Sequence, residues 1–186
     1  MLRHVAQFYE AEPKALIENV ARTACNALHG GDVVLVVAPA ERMNQIQSAL
    51  EFEGMDTREA IKRGRLEFID AHEALDRFMF AGRPDPEAFD HVVGEAVRAM
   101  LARRNTAKLY AYGEMVGVLW DDGNEAGAVE LEALWNALLA DLPVSLHCGY
   151  PCESFERPVW TEHMEAVLDA HDETIPENLV AVSASS

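Results

Sequence analysis

The unbroken apolar run from Val33 to Val37 constrains the fold more than any other part of the sequence. It contains only β-branched residues and leucine, without the polar alternation of a strand that has one face in water. Strands of this kind lie in parallel sheets that helices cover on both sides. The run therefore predicts an α/β protein with a buried, mainly parallel sheet.

Strand-like and helix-like segments alternate along the rest of the chain. Strands are predicted within residues 1–9 and at Leu66–Ile69, Lys108–Tyr112 and Val144–Cys148. The apolar spacing predicts helices at Pro13–Leu28, Met43–Leu50, Asp56–Ile61, Leu75–Met79, Pro86–Met100, Glu125–Leu142 and His163–His171. This alternation predicts a three-layer sandwich whose parallel strands are joined by right-handed crossovers.

Length and composition are those of one domain. The chain has 186 residues, of which 49% are hydrophobic and 25% charged, and this is ordinary for a globular protein with a proper core. We expect a single domain over residues 1–178. Residues 179–186, which end in two serines, are predicted to be a flexible tail or the start of a linker.

The net charge, the length of the apolar runs and the number of cysteines exclude several kinds of partner and fold. The formal net charge is −17, from 32 acidic and 15 basic residues, so nucleic-acid phosphates would be repelled. No apolar run is long enough to cross a bilayer, and the N-terminus lacks the pattern of a signal peptide. Three cysteines are too few for a disulfide framework. We therefore expect a cytoplasmic protein that binds neither nucleic acid nor membrane.

The segment Tyr112-Gly113-Glu114-Met115 ends a predicted strand and places a carboxylate at the edge where open α/β folds bind ligands. The chain has no Gly-Lys pair and no G-x-G-x-x-G motif. Their absence excludes a Walker-type nucleotide hydrolase and an ordinary dinucleotide-binding dehydrogenase. Glu114 then has no phosphate to act on. It is predicted either to contact a ligand or to favour the positive end of a helix dipole.

A second cluster lies at His147–Cys152. Cys148 and Cys152, four residues apart beside a histidine, are compatible with a zinc site, a redox pair or simple burial. The residues available to complete a metal site are His4, His72 and Glu114. A structural zinc site needs four ligands and no second cysteine pair exists, so burial is the expected role. Tyr110, Tyr112, Trp120 and Trp135 are more typical of a core than of a cofactor site.

Several short motifs, taken in order, resemble one known family. They are His4 with Phe8-Tyr9, Gly64-Arg65-Leu66 leading to Asp70-Ala71, Gly82-x-Pro84-Asp85 with Phe89, Tyr112-Gly113-Glu114-Met115-Val116 with Leu119-Trp120 and Gly123-Asn124, Leu131-Glu132 with Trp135-Asn136, Cys148-x-Tyr150-Pro151, and His171 with Ile175-Pro176. The chain resembles the MEDS domain, the methanogen/methylotroph DcmR-type sensory domain of bacterial and archaeal signalling proteins. Val5-Ala6-Gln7 departs from the family because a cysteine often stands between the histidine and the aromatic residues.

The resemblance implies a scaffold similar to the RecA/KaiC-type ATPase core without its phosphate-binding loop. It also implies a role in sensing or signal relay, with small hydrocarbon-derived ligands proposed for some members. No kinase or DNA-binding module follows in this chain, so we expect either a stand-alone sensor or the sensory part of a longer protein.

The leading interpretation is a non-catalytic sensory domain with one pocket at the sheet edge. The predicted ligand-binding residues are His4, Phe8, Tyr9, Tyr112, Glu114, Met115, Trp120, Trp135, Asn136, Cys148 and Tyr150. No catalytic residue, metal or cofactor is predicted. The expected partners are a small molecule and a signalling protein such as a histidine kinase or a regulator, with a homodimer also considered. The alternative is a pure interaction module; an enzyme using Glu114 or Cys148 is disfavoured because no catalytic partner is visible.

Overall fold

Six parallel strands form the central sheet, and the predicted α/β fold is confirmed. The computed structural model describes residues 3–10, 12–103, 108–152 and 162–175. Its strands are β1 (His4–Tyr9), β2 (Val33–Ala38), β3 (Leu66–Asp70), β4 (Met79–Phe80), β5 (Arg83–Pro84), β6 (Leu109–Gly113), β7 (Val144–Pro151) and β8 (Glu173–Ile175). The sheet order is β3-β2-β6-β7-β1-β8, with every neighbouring pair parallel, whereas β4 and β5 form a separate antiparallel hairpin.

Helices connect the strands. They are α1 (Lys14–Gly30), α2 (Ala40–Phe52), α3 (Thr57–Lys62), α4 (Ala71–Phe78), α5 (Pro86–Phe89), α6 (Glu95–Ala102), α7 (Met115–Asp121), α8 (Glu125–Asp141) and α9 (Glu162–Asp169), with a π-helical turn at Asp90–Gly94. Asp56 and Asp85 cap α3 and α5 as the sequence predicts, since their carboxylates accept hydrogen bonds from the backbone amides of Glu59 and Ala88. Among the described residues, no helix is both long and apolar enough to cross a membrane.

Side chains that alternate along the strands divide the core into two layers. One layer, here called the front face, packs against α4 to α9 and includes Val33, Leu35 and Val37 of β2. The other, the back face, packs against α1, α2 and α3 and includes Val34 and Val36. All five residues are fully buried, which is the two-sided burial that their apolar run predicts.

The strand order creates a switch point between β2 and β6. The chain leaves β2 towards β3 on one side and leaves β6 towards β7 on the other. Ligand crevices of open α/β sheets form where neighbouring connections diverge in this way, outside the carboxyl ends of the strands. Glu114 follows β6 at this point, and its amide donates to the carbonyl of Val37 at 2.9 Å.

The structure differs from the sequence prediction in several places, three of which follow. Met79, predicted in a helix, begins the β4–β5 hairpin, because the chain is extended there and turns back through Ala81 and Gly82 in the left-handed region. The predicted helix over Pro86–Met100 contains the π-helical turn. Strand β8, which was not predicted, is only three residues long and carries no apolar run. The predicted tail at 179–186 lies outside the described residues.

Replacement of Gly117 by alanine should destabilise the fold, because the added Cβ would lie 2.7 Å from the carbonyl oxygen of Gly149 in β7. The cost of such overpacking is typically about 1–3 kcal/mol. At Gly30 an added Cβ meets nothing within 4 Å. There, alanine should be neutral or stabilising by less than about 1 kcal/mol. Urea unfolding of both variants measures the difference, and equal changes would contradict the close approach of α7 to β7.

Candidate functional site

The predicted site residues do not lie in one pocket, and the period of two along a strand explains why. In β1, His4 and Phe8 point to the front face, whereas Tyr9 points to the back face. In the register, Phe8 pairs with Tyr150, and Cys148 lies on the same face as both. The residues therefore separate into an edge network around Glu114 and an interior cluster around Cys148.

Glu114 is the centre of the edge network. Its side chain is 4% exposed and accepts hydrogen bonds from Tyr112 Oη at 2.6 Å and Tyr9 Oη at 3.0 Å. Arg42 Nε, from the first turn of α2, donates to the same carboxylate at 2.8 Å. The Arg42 guanidinium also lies 4.8 Å from the centre of the Tyr9 ring. Glu114 thus joins the ends of β1 and β6 to α2.

The electrostatics keep all three donors protonated. Burial and the negative charge of Glu114 raise the pKa of Tyr9 and of Tyr112 well above the ordinary phenol value. Burial acts to lower the pKa of Arg42, but Glu114, Tyr112 and Tyr9 together outweigh it and the net shift is upward. Glu114 lies at the N-cap position of α7, where its side chain makes no capping hydrogen bond, and its interaction with the dipole of that helix stays a prediction.

An open cavity of about 210 Å³ adjoins this network. Its lining residues are Tyr9, Pro39, His72, Glu114, Gly117, Val118, Asp121, Asp122 and Pro151. They come from the carboxyl ends of β1, β2, β6 and β7, from the first turn of α4 and from both ends of the short helix α7. The cavity therefore lies at the sheet edge where the sequence analysis expects a ligand.

The interior cluster consists of His4, Glu132, Cys148 and His171, on the front face beneath α8 and α9. One potential ligand atom of each residue lies within 4.8 Å of the others. His4 Nε2 is 3.4 Å from both Cys148 Sγ and Glu132 Oε2. His171 Nε2 is 3.5 Å from Glu132 Oε1, which also accepts a short hydrogen bond from Tyr150.

Burial controls the protonation of the interior cluster. It lowers the pKa of His4, and it lowers that of His171 to about 3, so both imidazoles are neutral near pH 7. It raises the pKa of Glu132 to about 7, although the hydrogen bond from Tyr150 acts in the opposite direction. Burial and the nearby Glu132 raise the pKa of the Cys148 thiol well above its ordinary value.

The remaining predicted residues support these two groups or fill the core. Met115, Trp120 and Trp135 are buried in the front-face core. Phe8 stacks on Tyr150 with ring centres 5.5 Å apart. Asn136 lines neither the edge cavity nor the core, and its Oδ1 lies 3.0 Å from His4 Nδ1.

Sequence reasoning missed three residues of these groups. Arg42 lies in the first turn of a helix without a recognisable motif, and Glu132 and His171 were quoted only as parts of family motifs. The signal in the sequence is a carboxylate, Glu132, on the apolar face of a helix, because a buried carboxylate needs a partner. In the structure Glu132 is 1% exposed and belongs to the interior cluster. The His147 side chain lies on the back face with Tyr110, so it does not join Cys148. No disulfide links Cys148 to Cys152.

Replacement of Glu114 by glutamine should destabilise the protein by about 3 kcal/mol, because it leaves Arg42 as a largely buried charge without a counter-ion. The matched control is Glu59→Gln. Its partner Arg63 is as close, at 2.6 Å, but both side chains are exposed, so the expected change is below about 0.5 kcal/mol. Urea unfolding compares them. If Glu114→Gln lowers the free energy of unfolding as little as the control does, the ion pair with Glu114 does not stabilise the buried charge of Arg42.

Comparisons with known proteins give the family. The model of the family described as MEDS, MEthanogen/methylotroph, DcmR Sensory domain, matches residues 3–171. No curated protein matches the chain. Among solved structures, the uncharacterized protein PH0321 from Pyrococcus horikoshii, in complex with an unknown peptide, is similar with a TM-score of 0.67 and 12% identity. That alignment covers 94% of this chain and 76% of the other, and at this identity it shows the fold alone. Because the family model spans most of its length, the chain belongs to the MEDS family of sensory domains.

Proposed function

We propose that this chain is a non-catalytic sensory domain that binds a small molecule in the edge cavity and relays the signal to a regulatory protein. The observation that carries the proposal is the open cavity beside Glu114, at the switch point of the sheet. The family, described as a sensory domain, supports the same role. A histidine kinase or another regulator is the proposed class of partner.

The contacts of Glu114 argue against catalysis at this edge. Its carboxylate already accepts from Tyr9, Arg42 and Tyr112, and Arg42 neutralises its charge. A general base needs a lone pair directed at the substrate. Glu114 instead holds the phenol of Tyr9 at the cavity wall, where it is available to orient a ligand.

The size and lining of the cavity suggest the class of ligand. The cavity of about 210 Å³ is smaller than the roughly 300–1,000 Å³ that is typical of ligand pockets, so the proposed ligand is a small molecule. Pro39, Val118 and Pro151 supply apolar walls, and Asp121 and Asp122 add negative charge. These walls favour a neutral or cationic organic molecule with an apolar part, and they disfavour anions. A small hydrocarbon derivative, as the family resemblance implies, has this character.

The connection after β1 supports the proposal of a RecA/KaiC-like scaffold that has lost its nucleotide. Phosphate-binding loops occupy a strand–loop–helix junction and span eight residues, G-x-x-x-x-G-K-[ST]. Here only residues 10–13 lie between β1 and α1, and they include Glu10 and Glu12. Two carboxylates before a helix N-terminus would repel a phosphate, so a nucleotide is not the proposed ligand.

Helix α7 provides a route from the cavity to the rest of the domain. Gly117 and Val118 line the cavity, and α7 packs against β7 and α8. A ligand that contacts α7 in only one of two positions would shift the population towards that position. The proposed signal is this shift.

A pure interaction module is the second candidate, and exposed apolar side chains favour it. Phe52 at the end of α2 is 91% exposed, and Ile61 in α3 is 44% exposed. On this alternative the chain would bind a partner or a second copy of itself through that surface. Sedimentation over a range of concentrations, with Phe52→Ser as the comparison, separates the two candidates.

A thermal-shift screen tests the ligand proposal. A small neutral or cationic molecule at 100 times its Kd should add about 2.7 kcal/mol of stability, which raises the Tm by roughly 5–10 °C for a domain of this size. Nucleotides should give no shift. Val118→Trp should fill the cavity and abolish the response.

The control for this variant is Ala102→Trp, which introduces the same side chain at an exposed position of α6 that does not line the cavity and should keep the response. The ligand proposal is overturned if no class of small molecule shifts the Tm, or if Val118→Trp responds as strongly as Ala102→Trp.

A further inference from the structure

We propose that His4, Glu132, Cys148 and His171 form a zinc site on the front face of the sheet, separate from the edge cavity. The sequence analysis predicts no metal, because Cys148 and Cys152 have no second cysteine pair to complete four ligands. The four residues come from β1, α8, β7 and the segment after α9, so only folding brings them together. This site goes beyond the proposed sensory function and does not depend on it.

The distances fit a tetrahedral ion. Zinc bonds of about 2.0–2.3 Å place tetrahedral ligand atoms roughly 3.3–3.7 Å apart. His4 Nε2 lies 3.4 Å from Cys148 Sγ and 3.4 Å from Glu132 Oε2, which is this separation. His171 Nε2 lies 3.5 Å from the other carboxylate oxygen, Oε1. One ligand atom from each of the four residues lies within 4.8 Å of the others, so zinc binding would draw the side chains closer together.

The outer hydrogen bonds direct both imidazoles at the same point. His171 Nδ1 lies 2.6 Å from the carbonyl oxygen of Val167, an acceptor, so this nitrogen carries the proton and Nε2 carries the lone pair. His4 Nδ1 donates in the same way to Asn136 Oδ1 at 3.0 Å. Asn136 is itself oriented by its Nδ2 donating to the carbonyl of Ala170 at 3.2 Å. Such outer acceptors are what hold histidine ligands in metal sites.

An unpartnered oxygen gives an independent indication of a ligand. Glu132 is 1% exposed, and its Oε2 makes no hydrogen bond of normal geometry in the described part of the chain, although His4 Nε2 lies 3.4 Å away and the Cys148 thiol is close enough to interact with the carboxyl group. A buried acceptor without a donor is costly. A cation at the centre of the cluster satisfies this oxygen.

The charges balance when zinc binds. The Cys148 thiol and the Glu132 carboxylic acid each release a proton to solvent and coordinate as thiolate and carboxylate. Their two negative charges cancel the charge of Zn²⁺, and the two neutral histidines add none. The centre is therefore uncharged overall, which removes most of the penalty for burying an ion.

The donor set selects zinc and a structural role. Imidazole and thiolate together suit zinc, whereas calcium and magnesium prefer oxygen ligands only. Four protein ligands leave no open position, as in structural sites. Bound zinc would fasten the segment after α9 to β1, β7 and α8.

Metal analysis of the tag-free protein tests the site. We expect one zinc per chain by elemental analysis and a raised Tm that chelator reverses. Cobalt substitution should give a thiolate-to-cobalt charge-transfer band. Cys148→Ser should abolish this band and weaken zinc binding at least about 100-fold, and Asn136→Ala, which removes an outer partner only, about 10–100-fold. Glu132→Gln should weaken binding without unfolding the chain.

The matched controls are Cys25→Ala and His147→Gln, a buried thiol and a buried imidazole on the back face. Both should keep the zinc and the cobalt band. The site is overturned if the wild-type protein neither holds nor takes up zinc at one per chain. It is equally overturned if the cobalt spectrum of the wild type lacks the thiolate band, a result that needs no variant to fold.

Discussion

The parallel pairing of β1 with β7 is the interaction on which the rest of the structure depends. It places His4 and Phe8 beside Leu146 and Tyr150 on the front face, and it turns Tyr9 to the back face at the carboxyl edge. A register slip of one residue would exchange the two sets. One strand therefore supplies a ligand atom to the interior cluster and a phenol to the edge network, on opposite sides of the sheet.

The edge network and the interior cluster each bury a carboxyl group, and they stabilise it differently. At the edge, the Glu114 carboxylate is paired with Arg42 and accepts hydrogen bonds from two phenols. In the interior, Glu132 has no cation among its hydrogen-bond partners, and burial raises its pKa to about 7. The edge network is complete as it stands, which suits a rigid cavity wall. The interior cluster is balanced by a proton or, as we propose, by zinc.

The sequence predicts much of the scaffold and part of each site. The run Val33–Val37 predicts the layers, because a strand that is buried on both faces is apolar throughout. Asp56 and Asp85 predict helix boundaries, because capping uses a hydrogen bond to a residue nearby in the sequence. Glu114 is placed correctly because an edge position follows from the end of a strand. The partnership of Arg42 with Glu114, or of His171 with Cys148, depends on strand order and helix packing, which no local pattern encodes.

The central claim is that the sheet separates two independent polar sites, and a double-mutant cycle tests it most directly. His4 and Tyr9 lie at opposite ends of β1, roughly 16 Å apart along the strand, and share no partner. The destabilisation by His4→Asn and by Tyr9→Phe should add within about 0.5 kcal/mol in urea unfolding. Tyr9→Phe with Glu114→Gln, which share a hydrogen bond, serves as the coupled reference. A coupling above about 1 kcal/mol between His4 and Tyr9 would contradict the account.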